Sequence, residues 1–233
     1  MVRLVGAAHR FVGIHREYGG RRSHDRPGQA VGEELYRKQV VKQADLVLAM
    51  WLRGDAFSPE QKVRNVAYYE PLAVRDSSLS SGVRAVLSAE VGHLELAYDY
   101  FAEAALADLY DLHHNVAQGL HIASLAGAWI TTVAGFGGMR DHNGELTFAP
   151  RLPPELSGIS FRMCVRDCRI CITIHADKAT YELVRGELVR TSHHGTPITL
   201  TQNQPITLPI PPPPPNPAPH RPPAHRGPTI SGL

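Results

Sequence analysis

The feature that most constrains this chain is a change in the spacing of its apolar residues at Gly137-Gly138. Before this pair, apolar side chains recur at the spacing of helices, whereas after it they alternate with polar side chains as in strands. Because the helical and strand patterns occupy separate stretches, the sequence predicts an α+β fold with a small antiparallel sheet unit after the helices.

Five helices are predicted before the glycine pair. The first runs from Glu33 until Gly54 ends it. Ser58-Pro59-Glu60-Gln61 combines a capping serine, a proline suited to the first helical position and a glutamine that can close a capping box, so it starts a second helix reaching about Tyr69. The others are predicted over residues 83–91, 94–110 and 121–136. Alternating short and long loops indicate antiparallel pairs, as in a bundle or part of a helical barrel.

The remaining stretches divide the chain into segments of different character. Residues 1–32 lack a periodic apolar pattern and predict an irregular leader, followed by the helices over residues 33–140. Short strands at 146–148, 159–165, 170–174, 181–184, 188–191 and 198–201 predict a β-sandwich domain over residues 141–208. Residues 209–233 are rich in proline and predict a disordered tail, with binding to a proline-recognition module as the alternative.

Composition argues against several classes of function. The 24 basic and 22 acidic side chains leave a formal net charge of +2, which favours neither nucleic acid nor a membrane surface as a partner. No apolar run approaches the ~18 residues of a membrane helix, so a cytoplasmic location is expected. Cys164, Cys168 and Cys171 lie in strand-like alternation and the 13 histidines are scattered, so neither a metal site nor a cofactor is predicted.

Two positions suit an anion. Ser77 and Ser78, in a polar stretch between two predicted helices, offer hydroxyl and backbone donors at a helix start. The same residues also suit a simple helix cap. His121 opens the fifth predicted helix, where free N–H groups and the helix dipole favour an anion, and a histidine satisfied by a local carbonyl is the alternative.

Three further polar residues are candidates for binding a sugar or another polar ligand. Lys42 and Gln43 interrupt an otherwise apolar helical pattern, although a solvated helix face explains them as well. Glu70 precedes Pro71, which biases the backbone to an extended turn, and a carboxylate there can accept hydrogen bonds from sugar hydroxyls or cap a neighbouring group. A glycine-rich nucleotide loop and a Gly-x-Ser-x-Gly nucleophile elbow are both absent from the sequence.

Taken together and in order, six short segments resemble glycoside hydrolase family 65, which includes the maltose, trehalose and kojibiose phosphorylases. The segments are Val41-Lys42-Gln43-Ala44-Asp45, Phe57-Ser58-Pro59-Glu60-Gln61, Tyr68-Tyr69-Glu70-Pro71-Leu72, Asp76-Ser77-Ser78-Leu79-Ser80, Gly119-Leu120-His121-Ile122-Ala123-Ser124 and Phe148-Ala149-Pro150-Arg151-Leu152-Pro153. The resemblance covers about residues 34–208, and the first 32 residues do not resemble the family's upstream sequence. Arg75 and Gln118 depart from the pattern that the family often shows at these positions.

The resemblance implies a fold and an activity. The chain is similar to the last helices of the family's (α/α)6 barrel and to its C-terminal sheet domain, so a truncated gene product or a misplaced start is expected. The family's reaction is inverting cleavage of an α-glucosidic disaccharide, in which a glutamic acid protonates the leaving oxygen and inorganic phosphate, a co-substrate, attacks the sugar. The general acid belongs to the upstream part, so no catalytic residue is assigned here and the lone chain is expected to be inactive.

The resemblance also assigns binding residues and partners. Ser77, Ser78 and His121 would hold phosphate, while Lys42, Gln43 and Glu70 would bind the hydroxyls of the glucosyl unit. The alternative is a non-catalytic remnant, or a subunit that completes a split enzyme. A complementing N-terminal half or a second copy of the chain is then the expected partner.

Overall fold

A computed structural model of the protein describes residues 3–4, 41, 43–73, 77–217 and 219. Helices occupy the first half of the described chain, and the last helix continues as a π-helical segment over Thr131–Phe136. The α-helices in the described residues are α1 (Asp45–Leu52), α2 (Pro59–Tyr69), α3 (Ser80–Glu90), α4 (Leu94–Leu106) and α5 (Ile122–Ile130).

Antiparallel strands follow the helices, as the change in periodicity predicts. They form one sheet in the order β1-β2-β3-β4-β7 and a second, two-stranded sheet of β5 and β6. The strands are β1 (Arg3–Leu4), β2 (Ile159–Val165), β3 (Cys168–Ile174), β4 (Lys178–Arg185), β5 (Leu188–His193), β6 (Thr196–Thr201) and β7 (Ile206–Pro209). The α+β prediction is therefore confirmed, although β1 lies within the segment predicted to be an irregular leader and pairs with β2.

The start of α2 follows the capping box read from the sequence. The Ser58 hydroxyl accepts a hydrogen bond from the Gln61 backbone N–H at 3.3 Å, and the Gln61 side chain accepts one from the Ser58 backbone N–H at 2.8 Å. These two bonds satisfy backbone donors that have no partner inside the helix. The prediction of this helix start is confirmed.

The start of α1 differs from its prediction. The helix that ends at Leu52 begins at Asp45. Of the residues predicted to precede Asp45 in the same helix, the described Val41 forms a parallel bridge with Ala73, and residues 33–40 and 42 lie outside the described residues. The Val41 backbone N–H donates to the Leu72 carbonyl at 2.8 Å, so its hydrogen bond is made with another segment rather than along a helix. This bridge places Val41 beside the turn that follows α2.

Successive helices of the first three run in opposite directions. Lys62 near the start of α2 contacts Glu90 at the end of α3, and Glu70 just after α2 contacts Arg84 near the start of α3. In the same way, the Asn65 amide of α2 donates to the Met50 sulfur of α1, and Gly54, just after α1, lies beside Lys62 near the start of α2. Since α1 and α3 each run against α2, they run parallel to one another.

Helices α3 and α5 are also parallel, and they approach closely. A Cβ placed on Gly82 would lie 2.7 Å from the Gly127 Cα, and one placed on Gly135 would lie 3.4 Å from the Val86 Cα. The later residue of one segment, Val86, contacts the later residue of the other, Gly135, so the two segments run in the same direction. Helices α1, α3 and α5 therefore begin at one end of the helical unit, which we call the rim and define by residues 43–45, 77–81 and 121–123.

One hydrophobic cluster joins the helices to the sheet. Phe136 packs edge-on against Phe101, with ring centroids 5.4 Å apart, and Phe148 packs against Tyr181 at 5.5 Å. Phe161 of β2 is buried in the same cluster. Because burial of such side chains supplies most of the favourable free energy of folding, the helical and sheet segments stabilise one another.

The first part of the proline-rich segment makes defined contacts. The Ile210 backbone N–H donates to the Asp177 carbonyl at 2.8 Å, and the Asn216 side-chain amide donates to the Val91 carbonyl at 2.8 Å. Between these two bonds, Pro214 lies against Gly92. The described residues of 209–217 thus lie along the sheet and helices, in contrast to the predicted disorder, whereas most of the predicted tail falls outside the described residues.

Candidate functional site

The rim gathers most of the residues that the sequence singled out for binding. Gln43 is exposed just before α1, Ser77 and Ser78 lie half-buried just before α3, and His121 precedes α5. Lys42 lies outside the described residues. The parallel course of α1, α3 and α5 brings these positions to one end of the unit, which their separation along the chain does not reveal.

Two helix starts at the rim have the electrostatic character of an anion site. The side chains of the two N-cap residues, Leu79 of α3 and His121 of α5, make no capping hydrogen bond, although the Asp108 carboxylate accepts the His121 backbone N–H at the start of α5. The positive end of the helix dipole favours a bound anion there, while the backbone N–H groups of Ser80, Ile122 and Ser124 already donate to nearby carbonyls. The hydroxyls of Ser77 and Ser78 add donors next to the start of α3.

The ring of His121 is oriented by Asp108, which follows the end of α4. The His121 Nδ1 lies 2.6 Å from Asp108 Oδ1, and the His121 backbone N–H donates to Asp108 Oδ2 at 2.9 Å. The hydrogen bond from the histidine ring is the main reason why the pKa of Asp108 lies below its ordinary value. An ionised carboxylate only accepts hydrogen bonds, so Nδ1 carries the proton in this pair.

Glu70 has partners inside the protein. It is 5% exposed, its Oε2 lies 3.3 Å from Arg84 Nη1, and the Tyr100 hydroxyl lies 2.8 and 3.0 Å from its two oxygens. A cavity of about 10 Å³ lies beside the carboxylate, which is room for about one water molecule. These contacts indicate a structural role, and they do not test the prediction that Glu70 binds a sugar.

A second charged cluster links the helices to the segment that leads into the sheet. Glu90 at the end of α3 contacts Lys62 Nζ and Arg140 Nη2, each at 2.6 Å. Burial raises the pKa of the Glu90 carboxyl, but Arg140 and Lys62 outweigh burial and lower it below its ordinary value. The guanidinium of Arg151 donates to the Glu90 carbonyl at 2.9 Å. This cluster stabilises the fold, and it was not predicted from the sequence.

The described part of the chain can be compared with the geometry of a metal site and of a membrane-spanning helix. Cys164 is an exposed free thiol, and Cys168 and Cys171 are partly buried free thiols. Among the described residues, no group of three histidine, cysteine, aspartate or glutamate side chains is placed to hold a metal ion. None of the described helices combines the length and the apolarity needed to cross a bilayer.

Asp108 and Arg84 are the residues near the rim that sequence reasoning missed. Asp108 lies 13 residues before His121, and Arg84 lies 14 residues after Glu70. Neither separation corresponds to a helical or strand spacing, so no local pattern connects the partners. A charged residue within an apolar helical pattern, such as Arg84, was the one available signal, because a buried charge requires a partner.

Comparison with known proteins identifies relatives of this chain. The family model of the glycosyl hydrolase family 65 central catalytic domain matches residues 12–130, and that of the family's C-terminal domain matches residues 139–200. The chain is 52% identical over 179 residues to an uncharacterized glycosyl hydrolase of Mycobacterium leprae. It is 37% identical over 170 residues to an alpha,alpha-trehalose phosphorylase of Thermoanaerobacter brockii. The first match begins at residue 12, so it includes much of the segment that was expected not to resemble the family.

The structural relatives agree with the sequence relatives. A putative kojibiose phosphorylase from the human microbiome superposes with a TM-score of 0.72 at 25% sequence identity, covering 76% of this chain and 24% of that one. The alignments with the M. leprae and T. brockii proteins cover 76% and 73% of this chain, and each spans 22% of the relative's length. Family models that together account for most of the chain, and a fold shared with a family member, lead to one conclusion: this chain belongs to glycosyl hydrolase family 65.

Proposed function

We propose that this chain provides the phosphate-binding side of a disaccharide phosphorylase active site. In the proposed reaction, inorganic phosphate cleaves an α-glucosidic disaccharide with inversion and is itself the co-substrate, without a further cofactor. The observation that carries the proposal is that the starts of α3 and α5, whose N-cap side chains make no capping bond, lie at the same rim as Ser77, Ser78 and His121. The trehalose and putative kojibiose phosphorylases among the relatives support the choice of reaction.

The proposed chemistry matches the groups at the rim. Phosphate is already an anion, so it needs positioning beside the sugar rather than deprotonation. Hydroxyls, helix N-termini and a histidine ring provide donors for its oxygens. Gln43 lies at the same rim and, with Lys42, is proposed to bind the glucosyl hydroxyls. Glu70 belongs to this proposal only if its carboxylate exchanges one of its internal partners for a sugar hydroxyl.

The general acid is proposed to lie outside these 233 residues, so we expect no turnover by the chain alone. General acid catalysis contributes roughly 100- to 10,000-fold, and substrate positioning contributes more. The assay incubates the purified chain with phosphate and maltose, trehalose or kojibiose and measures glucose 1-phosphate. Formation of glucose 1-phosphate would contradict the absence of the acid from this chain.

Phosphate binding is tested directly by nuclear magnetic resonance. Inorganic phosphate is titrated into the ¹⁵N-labelled full chain, and we expect the amide shifts to concentrate at residues 78–82 and 121–124. The double variant Ser77→Ala and Ser78→Ala should weaken these shifts. A control variant, Ser192→Ala in β5, should leave them unchanged because it lies in the sheet. Shifts spread over the surface, or equal binding by all variants, would refute the proposed site.

The alternative proposal is a subunit that completes a split enzyme, and an exposed apolar face on α5 favours it. Ile122, Leu125 and Trp129 are 66%, 44% and 51% exposed, and their spacing places them along one side of the helix. Large exposed apolar patches mark surfaces that contact another protein segment. Helices from the front part of a family 65 barrel, on a separate chain, are the proposed partner of this face.

A cytoplasmic location stays a prediction of the sequence.

The alternative is tested by reconstitution. The front part of the M. leprae relative, up to its aligned region, is co-expressed with this chain, and co-elution together with phosphorolysis would support a split enzyme. Trp129→Glu should abolish co-elution, whereas Leu188→Glu, at an exposed leucine of β5, should not. Self-association of the chain that Trp129→Glu abolishes would identify a second copy as the partner instead.

A further inference from the structure

Asp108 stands at a position that is unfavourable for a carboxylate unless it has specific partners. It lies two residues after the last residue of α4, where the negative end of the helix dipole disfavours an anion. The Asp108 carboxylate accepts two hydrogen bonds from His121, one from the ring and one from the backbone, at 2.6 and 2.9 Å. These bonds offset the unfavourable position and join the end of α4 to the start of α5.

The two bonds also determine which nitrogen of His121 is available. Because both carboxylate oxygens are accepting, Nδ1 must carry a proton, and Nε2 points away from Asp108. Within the described part of the chain Nε2 has no hydrogen-bond partner, and the side chain is 17% exposed. The other titratable ring facing it is His113, with centroids 5.3 Å apart.

We propose that Asp108 is a positioning residue that holds His121 with Nε2 directed to the anion bound at the rim. This proposal rests on the proposed function, because the anion is the phosphate of that reaction. When His121 is protonated, Nε2–H donates to a phosphate oxygen while Nδ1–H remains bonded to Asp108. A carboxylate that fixes one ring nitrogen of a histidine so that the other can act is a common arrangement in proteins.

The variant Asp108→Asn separates positioning from simple helix capping. An asparagine side chain has one acceptor oxygen, so it cannot accept from both Nδ1–H and the backbone N–H. If the oxygen keeps the backbone bond, the amide group faces Nδ1 and donates to it, and the proton of the neutral ring moves to Nε2. If residue 108 only caps the start of α5, the variant keeps this function, because the backbone hydrogen bond remains. The tautomer of the His121 ring, in contrast, changes.

The matched control is Asp111→Asn in the same loop. A single oxygen, Asp111 Oδ1, accepts from the backbone N–H groups of Asn115 and Val116 at 2.9 and 3.0 Å. The amide oxygen of asparagine can therefore replace it. This control removes the same charge from the same loop and leaves the His121 ring bonded to Asp108.

The experiment combines two readouts on the full chain. Long-range ¹H–¹⁵N spectra report the tautomer of His121, and titration with inorganic phosphate reports affinity. We expect Nδ1–H in the wild-type chain and in Asp111→Asn, and Nε2–H in Asp108→Asn. Phosphate affinity should fall about tenfold in Asp108→Asn alone, because the amide that faces Nδ1 disfavours the protonated ring, and Nε2–H then donates a neutral rather than a charged hydrogen bond to phosphate.

The outcomes distinguish this proposal from the proposed function. Phosphate binding with the same affinity and tautomer in Asp108→Asn would overturn the positioning role and leave the phosphate site standing. No binding by the wild-type chain would refute the phosphate site and the anion in this proposal, while the tautomer would still report whether Asp108 orients the ring. If Asp108→Asn fails to fold, the spectrum of the wild-type chain still tests the proposal. A His121 ring without a proton on Nδ1 in that spectrum would overturn it.

Discussion

Removal of the Glu70 carboxylate should destabilise the helical unit strongly. Glu70, Arg84 and Tyr100 are 5%, 4% and 1% exposed, and the carboxylate is the group that contacts both of the others. In Glu70→Ala the buried Arg84 guanidinium loses this counter-charge. Breaking a buried ion pair by removing one partner destabilises by ~3–5 kcal/mol, which is a large part of the ~5–15 kcal/mol that stabilises a typical domain.

The assay is denaturant unfolding followed by tryptophan fluorescence, since the chain contains two tryptophans. A double-mutant cycle adds the single variants Glu70→Leu and Arg84→Met and the combination of these two changes. We expect the combination to be less destabilised than the sum of the single changes, because it leaves no buried charge without its partner. Glu187→Ala, at an exposed glutamate between β4 and β5, should change the free energy of unfolding by about 0.5 kcal/mol or less.

One result would refute this reasoning. If Glu70→Ala destabilises by less than about 1 kcal/mol, the Glu70–Arg84 pair behaves as an exposed surface pair rather than a buried one. The Glu70 carboxylate would then be free to exchange its internal partners, and its predicted role in binding the glucosyl unit would gain support. A large loss of stability would instead separate Glu70 from the residues whose substitution tests ligand binding.

The remaining predictions concern the pH dependence, the helix contact and the proline-rich segment. Burial, with two neighbouring basic side chains, lowers the pKa of His194 from 6.5 to about 4. The contribution of His194 to the free energy of unfolding should therefore be complete above pH 6.5 and decrease as the pH falls toward 4. His194→Gln should reduce this pH dependence in denaturant unfolding curves. Gly82→Ala should destabilise by ~1–3 kcal/mol, because the new Cβ would lie 2.7 Å from the Gly127 Cα. Gly127→Ala should destabilise less, because the nearest atom to its Cβ would be 3.4 Å away. Equal denaturation midpoints for the two variants would contradict this. Asn216→Ala removes the hydrogen bond to the Val91 carbonyl and should destabilise the protein by about 1 kcal/mol. The same variant should be cleaved more readily by proteases after residue 209. An unchanged cleavage pattern would show that the Asn216 bond does not hold this segment in place.

Features that depend on neighbouring residues could be predicted from the sequence. The capping box of Ser58 and Gln61 joins residues three positions apart, and the alternation of β2 and β3 depends on positions two apart. The α+β fold and the family follow from such local patterns. Residues Ser77, Ser78 and His121 could be proposed for the same reason, because helix starts carry local signals.

Features that depend on distant residues were decided by the tertiary structure. Residues 33–44 share a helical apolar pattern, yet the described Val41 pairs with Ala73, 32 positions later in the sequence. Asp108 and Tyr100 carry no local signal for their roles, because their partners lie 13 and 30 positions away. The burial that makes Glu70 part of the interior is likewise set by helices that come later in the chain.

By itself, the sequence determined where helices give way to strands, how α2 begins and to which family the chain belongs. The tertiary structure alone decided that α1, α3 and α5 run parallel, that their starts share one rim and that Asp108 holds His121 there. The physical reason is that local spacing encodes backbone preferences and the faces of single elements. Contacts between distant residues form only when packing brings those faces together, as at Gly82 and Gly127.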